Sequence, residues 1–419
     1  MNNRTREWRR PTQAVILAGG RGTRMRPLTD TRPKPMIEFH GKPFLAYTIE
    51  MLREQGFDRV LLLLGYLPDV IQDYFGDGSK WGIEIRYSVS LPDDLTVKRI
   101  QLALDQIDDC FMLLYCDNYW PLQMDRMWAR FEASGAPAMV TVYGNKDGYS
   151  RDSVRVNEDG WVTVYDRSRT APRLRGVEIS YAILTRPVLE MLPTEDALFE
   201  EAIYPRLAAE GRLAGWVSDH RYYSVGSLER LPLTTEFFAR RPAILLDRDG
   251  VLNRRPARAC YVRRPEEFEW LPGALDGLRL LREQGYRVIV ASNQAGVARG
   301  AMTAGDLDEL ERCIRSQAEV AGGGITAFYD CTHDWDAGCE CRKPRPGLLF
   351  RAQREHHLDL TRTLYVGDDE RDRMAAEAAG CRFAQVDENR SLLDIIKEEI
   401  HRTGEMNREQ TKECSHNRA

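Results

Sequence analysis

Ala243-Ile244-Leu245-Leu246-Asp247-Arg248-Asp249-Gly250-Val251-Leu252-Asn253 is the stretch on which the reading of this chain turns. Four apolar residues between Pro242 and a carboxylate read as a strand buried on both faces, as in a parallel sheet. The run stops at Asp247, and Gly250 lets the chain turn, so the carboxylates at i and i+2 enter one pocket. Such a pair can divide labour. Asp247 would attack phosphorus, while Asp249 would protonate the leaving oxygen and then activate the hydrolytic water.

Working outward, Val288–Ala291 is a second strand and ends in Ser292-Asn293-Gln294-Ala295-Gly296. The hydroxyl, amides and backbone N–H groups of that loop can cradle phosphate oxygens. Lys343 follows, and Leu364-Tyr365-Val366 runs into Gly367-Asp368-Asp369, where an acid completes a magnesium site opposite Asp247. Every fragment sits at the C-terminal end of a strand, the place where an open α/β sheet puts its ligands. The same alternation fills the rest of the chain. Ala14–Ala18, Val60–Leu64 and Phe111–Cys116 read as strands, and Pro43–Gln55, Thr303–Val320 and Gly347–His356 as helices. The expected fold class is therefore α/β, with two domains, each a mainly parallel sheet flanked by helices. The helix-like Leu228–Phe238 ends at Arg240-Arg241-Pro242, which divides the chain into residues 1–239 and 240–400. Residues 401–419 are polar and aperiodic, and read as a disordered tail.

A second constellation lies between these motifs. Cys331-x-His333 and Cys339-x-Cys341 place four thiol and imidazole ligands within one short loop, a set that suits a closed tetrahedral zinc site. With no open position the zinc would be structural, pinning the loop that presents Arg342 and Lys343 to phosphate. Nine cysteines, three of them here, fit a reducing cytoplasm better than a disulfide scaffold. The formal charge of −5 implies no nucleic-acid or membrane partner, and Met1–Arg10 does not read as a secretory signal. A homo-oligomer is compatible with the sequence.

From Arg241 to Ile400 the pattern resembles the haloacid-dehalogenase (HAD) phosphatase superfamily, in its capless form. That resemblance implies that Asp247 becomes an aspartyl-phosphate and that Asp249 is the acid/base. Ser292 and Lys343 would hold the phosphoryl group, with Mg2+ on Asp247, Asp368 and the Asp249 carbonyl. Asp369 departs from the pattern, since relatives often carry lysine there. Asp247–Asn253, Ser292–Gly300 and Cys341–Gly347 further resemble the D-glycero-D-manno-heptose 1,7-bisphosphate 7-phosphatases, and share much with zinc-bearing histidinol-phosphate phosphatases. Asn293, Gln294, Arg299 and Arg342 are the expected substrate contacts.

In the first half, Ala14–Ala18 breaks into Gly19-Gly20-Arg21-Gly22-Thr23-Arg24, and Lys34 follows in Arg32-Pro33-Lys34-Pro35. Glycines let backbone N–H groups approach phosphates, and Arg24 and Lys34 add charge. The string through Pro35 resembles the sugar-1-phosphate nucleotidyltransferases, to about residue 235. By that resemblance Gly19, Gly20, Gly22, Arg24 and Lys34 bind a nucleoside triphosphate, GTP in the first instance. Asp117 holds Mg2+, Glu178 contacts sugar hydroxyls, and Arg167 stands in the acid–lysine pair near the sugar phosphate. Three departures stand out. Leu91–Arg99 lacks the glycines of a base-binding loop, Ser224 replaces a second metal-binding acid, and Asp166-Arg167 replaces the acid–lysine pair. The expected function is a bifunctional enzyme that dephosphorylates a sugar bisphosphate and activates the resulting sugar 1-phosphate with a nucleotide. The alternative is a histidinol-phosphate-type phosphatase fused to a catalytically silent binding or regulatory module.

Overall fold

A computed structural model describes residues 8–416, with side chains described through residue 404. The chain divides into two compact units between Phe238 and Ala239.

The first unit is built on a seven-stranded sheet: β1 Gln13–Ala18, β2 Arg59–Leu64, β3 Glu84–Val89, β4 Cys110–Tyr115, β5 Ala138–Tyr143, β6 Val177–Thr185 and β7 Leu213–Ser218. Their spatial order is β7-β5-β6-β4-β1-β2-β3. All neighbours are parallel except β6, which runs antiparallel to both β4 and β5. β1 is central, and its side chains alternate between two cores. Ala14, Ile16 and Ala18 face one, and Val15 and Leu17 the other, which is why its apolar run is unbroken. Each large aliphatic side chain buried this way contributes about 1.5–3 kcal/mol.

The second unit has five parallel strands: β8 Ala243–Leu246, β9 Arg287–Asn293, β10 Ala327–Cys331, β11 Leu364–Gly367 and β12 Arg382–Gln385. The order β10-β9-β8-β11-β12 makes β8 the strand from which the chain winds first to one side and then to the other. Side chains of neighbouring connections diverge there and leave a crevice at the carboxyl ends of the strands. Ile244 and Leu246 pack with Leu278, Leu281 and Ile314, and Leu245 packs with Leu349 and Leu360 on the opposite face. Register completes the construction. Leu246 pairs with both Val290 and Val366, so the residue after it, Asp247, emerges level with the end of β11 and one residue short of Ser292 on β9.

The last helix runs Leu392–His416, so the backbone of 401–416 continues a helix where a disordered tail is expected from composition. Ile395 and Ile396 anchor its first turns in the core, which a reading of the polar segment by itself does not see. Residues 417–419 lie outside the described residues. Among the described residues no helix is long and apolar enough to cross a membrane.

Candidate active site

Asp247 and Lys343 form the centre of the second unit's crevice. The Lys343 ammonium lies 2.9 Å from Asp247 Oδ1 and 2.7 Å from Asp372 Oδ1, and donates to the Ala291 carbonyl and the Tyr365 hydroxyl. Its side chain is 2% exposed. Burial works to lower the lysine's pKa, but the two carboxylates outweigh it and the group is held charged. Burial pushes the Asp247 carboxyl up to about 7, with Asp372 and Asp249 adding to the rise and Lys343 opposing it. The Arg248 backbone N–H also donates to Asp247 Oδ1 at 2.7 Å.

Asp247, Asp368 and Asp372 each offer a carboxylate oxygen, all within 4.8 Å of one another. Hard oxygen donors converging this way suit a magnesium ion. Asp368 is raised to about 6 by burial, against the pull of Arg255. Gly250 is required here on two counts. Its φ is +90°, and a Cβ on it would stand 2.0 Å from Asp368 Oδ2.

The Asp249 carboxylate is not in that set, and its side chain is tied elsewhere. It accepts from Arg248 at 3.0 Å, Asn253 at 2.9 Å and Gln294 at 2.9 Å. Burial raises its pKa, but Arg248 and these hydrogen bonds bring it below the usual value. Gln294 departs from its expected role as a substrate contact. It is buried, and its amide hydrogens go to Asp249 Oδ2 and Ser292 Oγ while its carbonyl accepts from Arg248. A side chain with every bond committed inside the protein positions its neighbours. Asn293 grips the Lys343 backbone from both sides, at 3.1 and 3.2 Å.

These groups open into a cleft of about 730 Å³ whose walls include Arg255, Arg258, Tyr261, Trp335, Arg342 and Arg345. Arg342 has one guanidinium nitrogen buried without a hydrogen-bond partner. Arg299 is not among the lining residues. It stacks on Trp335 at 4.3 Å and pairs with Asp334. Cys331, His333, Cys339 and Cys341 gather at one edge, with sulfur–sulfur distances of 3.4–3.6 Å and sulfur–nitrogen distances of 3.2 and 3.7 Å. A zinc tetrahedron with bonds of about 2.3 Å has edges of about 3.8 Å, so the donor set fits such an ion.

In the first unit, Gly22, Arg24, Lys34 and Gly226 line a smaller cleft of about 200 Å³. Lys34 donates to Asp117 Oδ2 at 2.6 Å. Burial opposes both charges, yet their mutual attraction raises the lysine's pKa and lowers the acid's. Gly20 is exposed. Gly19 is buried, and a Cβ on it would meet the Arg99 guanidinium at 2.1 Å. Arg99 itself is buried and donates to the carbonyls of Gly19, Leu64, Leu91 and Pro92 and to Ser90 Oγ. The glycine-free loop is thus held by one guanidinium. Ser224 is buried, donates to the Asp117 carbonyl at 2.9 Å and accepts from Gly226 N–H. Among the described residues, no set of three metal-ligating side chains includes Asp117. Burial raises Glu178 to about 8, with Glu200 and Asp117 adding to the rise. Arg167 pairs with Glu200 and Glu201, and Asp166 caps its own turn from Ser168 to Ala171. Asp219 pairs with Lys146.

Asp372 and Arg255 were not visible as site residues in the sequence. Asp372 sits three residues past Asp369 and closes a capping box at the start of Glu370–Ala379, which disguises it as a helix-end acid. Its spacing of four from Asp368 was the available signal.

Residues 13–152 match the nucleotidyl transferase family and residues 340–405 the HAD-hydrolase-like family. The D-glycero-beta-D-manno-heptose-1,7-bisphosphate 7-phosphatase of Bordetella bronchiseptica is 38% identical over 138 residues, 33% of this chain and 76% of that protein. A crystal structure of a D,D-heptose 1,7-bisphosphate phosphatase from B. bronchiseptica, complexed with magnesium and phosphate, aligns at 30% identity and a TM-score of 0.36, covering 38% of this chain and 99% of that one. HddC from Yersinia pseudotuberculosis aligns at 23% identity and a TM-score of 0.47, covering 54% of this chain and 99% of that one. The chain is an enzyme with a nucleotidyl transferase domain in its first unit, and through its second unit it belongs to the heptose-1,7-bisphosphate 7-phosphatase family of HAD-type phosphomonoesterases.

Proposed function

We propose that this chain makes a nucleotide-activated heptose in two steps. The second unit hydrolyses the 7-phosphate of D-glycero-D-manno-heptose 1,7-bisphosphate. The first transfers a nucleotidyl group, GMP from GTP, to the heptose 1-phosphate that remains. The observation that carries the phosphatase step is the convergence of Asp247, Asp368 and Asp372 on one point, with Lys343 between Asp247 and Asp372.

Both bonds to Asp247 fall on Oδ1, which leaves Oδ2 to form the bond to phosphorus as the sugar oxygen leaves. Asp249 donates a proton to that oxygen and later takes one from the water that cleaves the aspartyl-phosphate. In the free site it is held as a carboxylate, and an arriving phosphate dianion raises its proton affinity for the first step. A magnesium ion on Asp247, Asp368 and Asp372, with the Asp249 carbonyl, would supply charge neutralisation for the phosphoryl group. Lys343 and Ser292 hold the phosphoryl oxygens, and the zinc loop presents Arg342, whose unpaired buried nitrogen is ready for an anion. In the first unit the glycine loop, Arg24 and Lys34 would orient the triphosphate, Asp117 would hold its magnesium ion, and Glu178 and Arg167 would serve the sugar side.

A phosphorus-NMR time course on the full chain tests both steps, with the heptose bisphosphate, Mg2+ and mixed nucleoside triphosphates. Inorganic phosphate should appear first, then pyrophosphate and a sugar nucleotide. Asp247→Asn should stop the first signal, and turnover retained by that variant would overturn the nucleophile assignment. A second reading, in which the first unit only binds, is favoured by Ser224 gripping the Asp117 backbone where a second metal-binding acid is expected. Absence of nucleotide binding and of pyrophosphate release from any sugar 1-phosphate would establish it. Faster release from histidinol phosphate than from the heptose would replace the substrate.

A further inference from the structure

The cleft wall formed by Arg255 to Tyr261 is an exposed loop, and Arg255 ties it to the acids across the site. Arg255 Nη1 lies 3.0 Å from Asp368 Oδ2, and Nη2 lies 2.5 Å from Asp369 Oδ2. Asp369 is a fixed post. It caps the helix Glu370–Ala379 by accepting the Arg371 N–H, and the Arg371 guanidinium grips both its oxygens at 2.9 Å. Asp368 is different, because it belongs to the converging set that suits a divalent ion. One guanidinium therefore spans a helix-capping acid outside the converging set and an acid that a metal would claim.

Resting on the phosphatase reading above, we propose that Arg255 is a positioning residue anchored on Asp369 that shares Asp368 with the metal. When the ion binds, the Nη1 contact to Asp368 loosens while the Nη2 contact to Asp369 keeps the guanidinium beside the crevice, facing incoming phosphate. The charge arrangement gives effects of opposite sign. A guanidinium beside Asp368 repels a divalent cation and competes for the same oxygen, yet it attracts an anion.

The test uses the full chain and two probes, Mg2+ and inorganic phosphate, titrated by calorimetry, together with phosphate release. Arg255→Ala should tighten Mg2+ binding about two- to fivefold, the scale of a half-exposed ion pair. It should weaken phosphate binding and raise KM roughly tenfold, the scale of one charge-assisted hydrogen bond. Arg255→Lys should recover part of the phosphate affinity. The double variant Arg255→Ala/Asp369→Lys should recover most of it, since the cation returns from the other side. Loss of both affinities together, or no recovery in the double variant, would overturn the inference and leave the phosphatase reading standing. If the native chain binds neither probe, the reading itself fails, and the inference with it.

Discussion

Replacing Lys343 with Met removes a charge while nearly keeping the stem's volume, and the structure sets the size of the effect. The ammonium holds Asp247 at 2.9 Å and Asp372 at 2.7 Å, and caps the Ala291 carbonyl at 3.0 Å, with its side chain 2% exposed. Breaking a buried ion pair costs about 3–5 kcal/mol, because the partner left behind is an uncompensated charge. Here two acids lose one cation, and they can relieve the repulsion by sharing a proton, so the loss should lie near 4 kcal/mol at neutral pH. That is a large part of the roughly 5–15 kcal/mol that a domain has. The sign with pH follows from the raised pKa of Asp247, which Lys343 at present restrains. An acid whose folded pKa is raised contributes stability that is full below about pH 4 and lost as pH rises through about 7. The variant's deficit should therefore be small near pH 5, grow towards pH 8, and shrink again with Mg2+, which replaces the missing positive charge. Hydrogen exchange of the Ala243–Leu246 and Leu364–Gly367 amides in the full chain measures it. A deficit under about 1 kcal/mol at pH 8 without divalent ions, or one equal at pH 5 and pH 8, would refute the reasoning.

Gly250→Ala should cost about 1–2 kcal/mol for its left-handed backbone and push Asp368 aside, weakening Mg2+ at least tenfold in a calorimetric titration. In the native chain, protonation of Asp247 and Asp368 favours folding below about pH 4, and this contribution fades as pH rises through about 6 to 7. The rise in Tm caused by Mg2+ should accordingly widen from pH 5 to pH 8 in thermal scans. A constant increment would argue against these acids as ligands. Purified protein should carry about one zinc per chain by elemental analysis. Cys341→Ser should lose it and raise KM more than it lowers kcat, because the loop bearing Arg342 is freed.

How much of this was legible in the sequence depends on what each residue's neighbours do. The strands leading to Asp247, Ser292 and Asp368 announce themselves because they are buried on both faces, and a parallel register aligns their ends. The cluster of Cys331, His333, Cys339 and Cys341 was readable because its members are close in sequence as well as in space. Asp372 was hidden because a helix-capping acid and a site acid look alike until Lys343 is seen between it and Asp247. Gln294 looked like a cradle residue, but a buried guanidinium from Arg248 turns it inward. Arg255 lies on an exposed loop, 113 positions from the acid it touches, a relation that no local pattern encodes. Ser224 was legible as a missing acid, but its grip on the Asp117 carbonyl was not.

The guanidinium of Arg99 has a consequence for anyone altering the first unit. Gly19 and Gly65 each face it so closely that an added methyl would stand 2.1 and 2.3 Å from its nitrogen. Three positions scattered over eighty residues thus behave as a single lock. Shortening the arginine would make room at Gly19 but release the Leu91 and Pro92 carbonyls, and a Cβ at Gly65 would still stand 2.7 Å from the Gly19 carbonyl oxygen, whereas enlarging either glycine first would expel the arginine. Any redesign of the neighbouring loop therefore has to begin at Arg99, with Gly19 as its dependant and Gly65 left as it is.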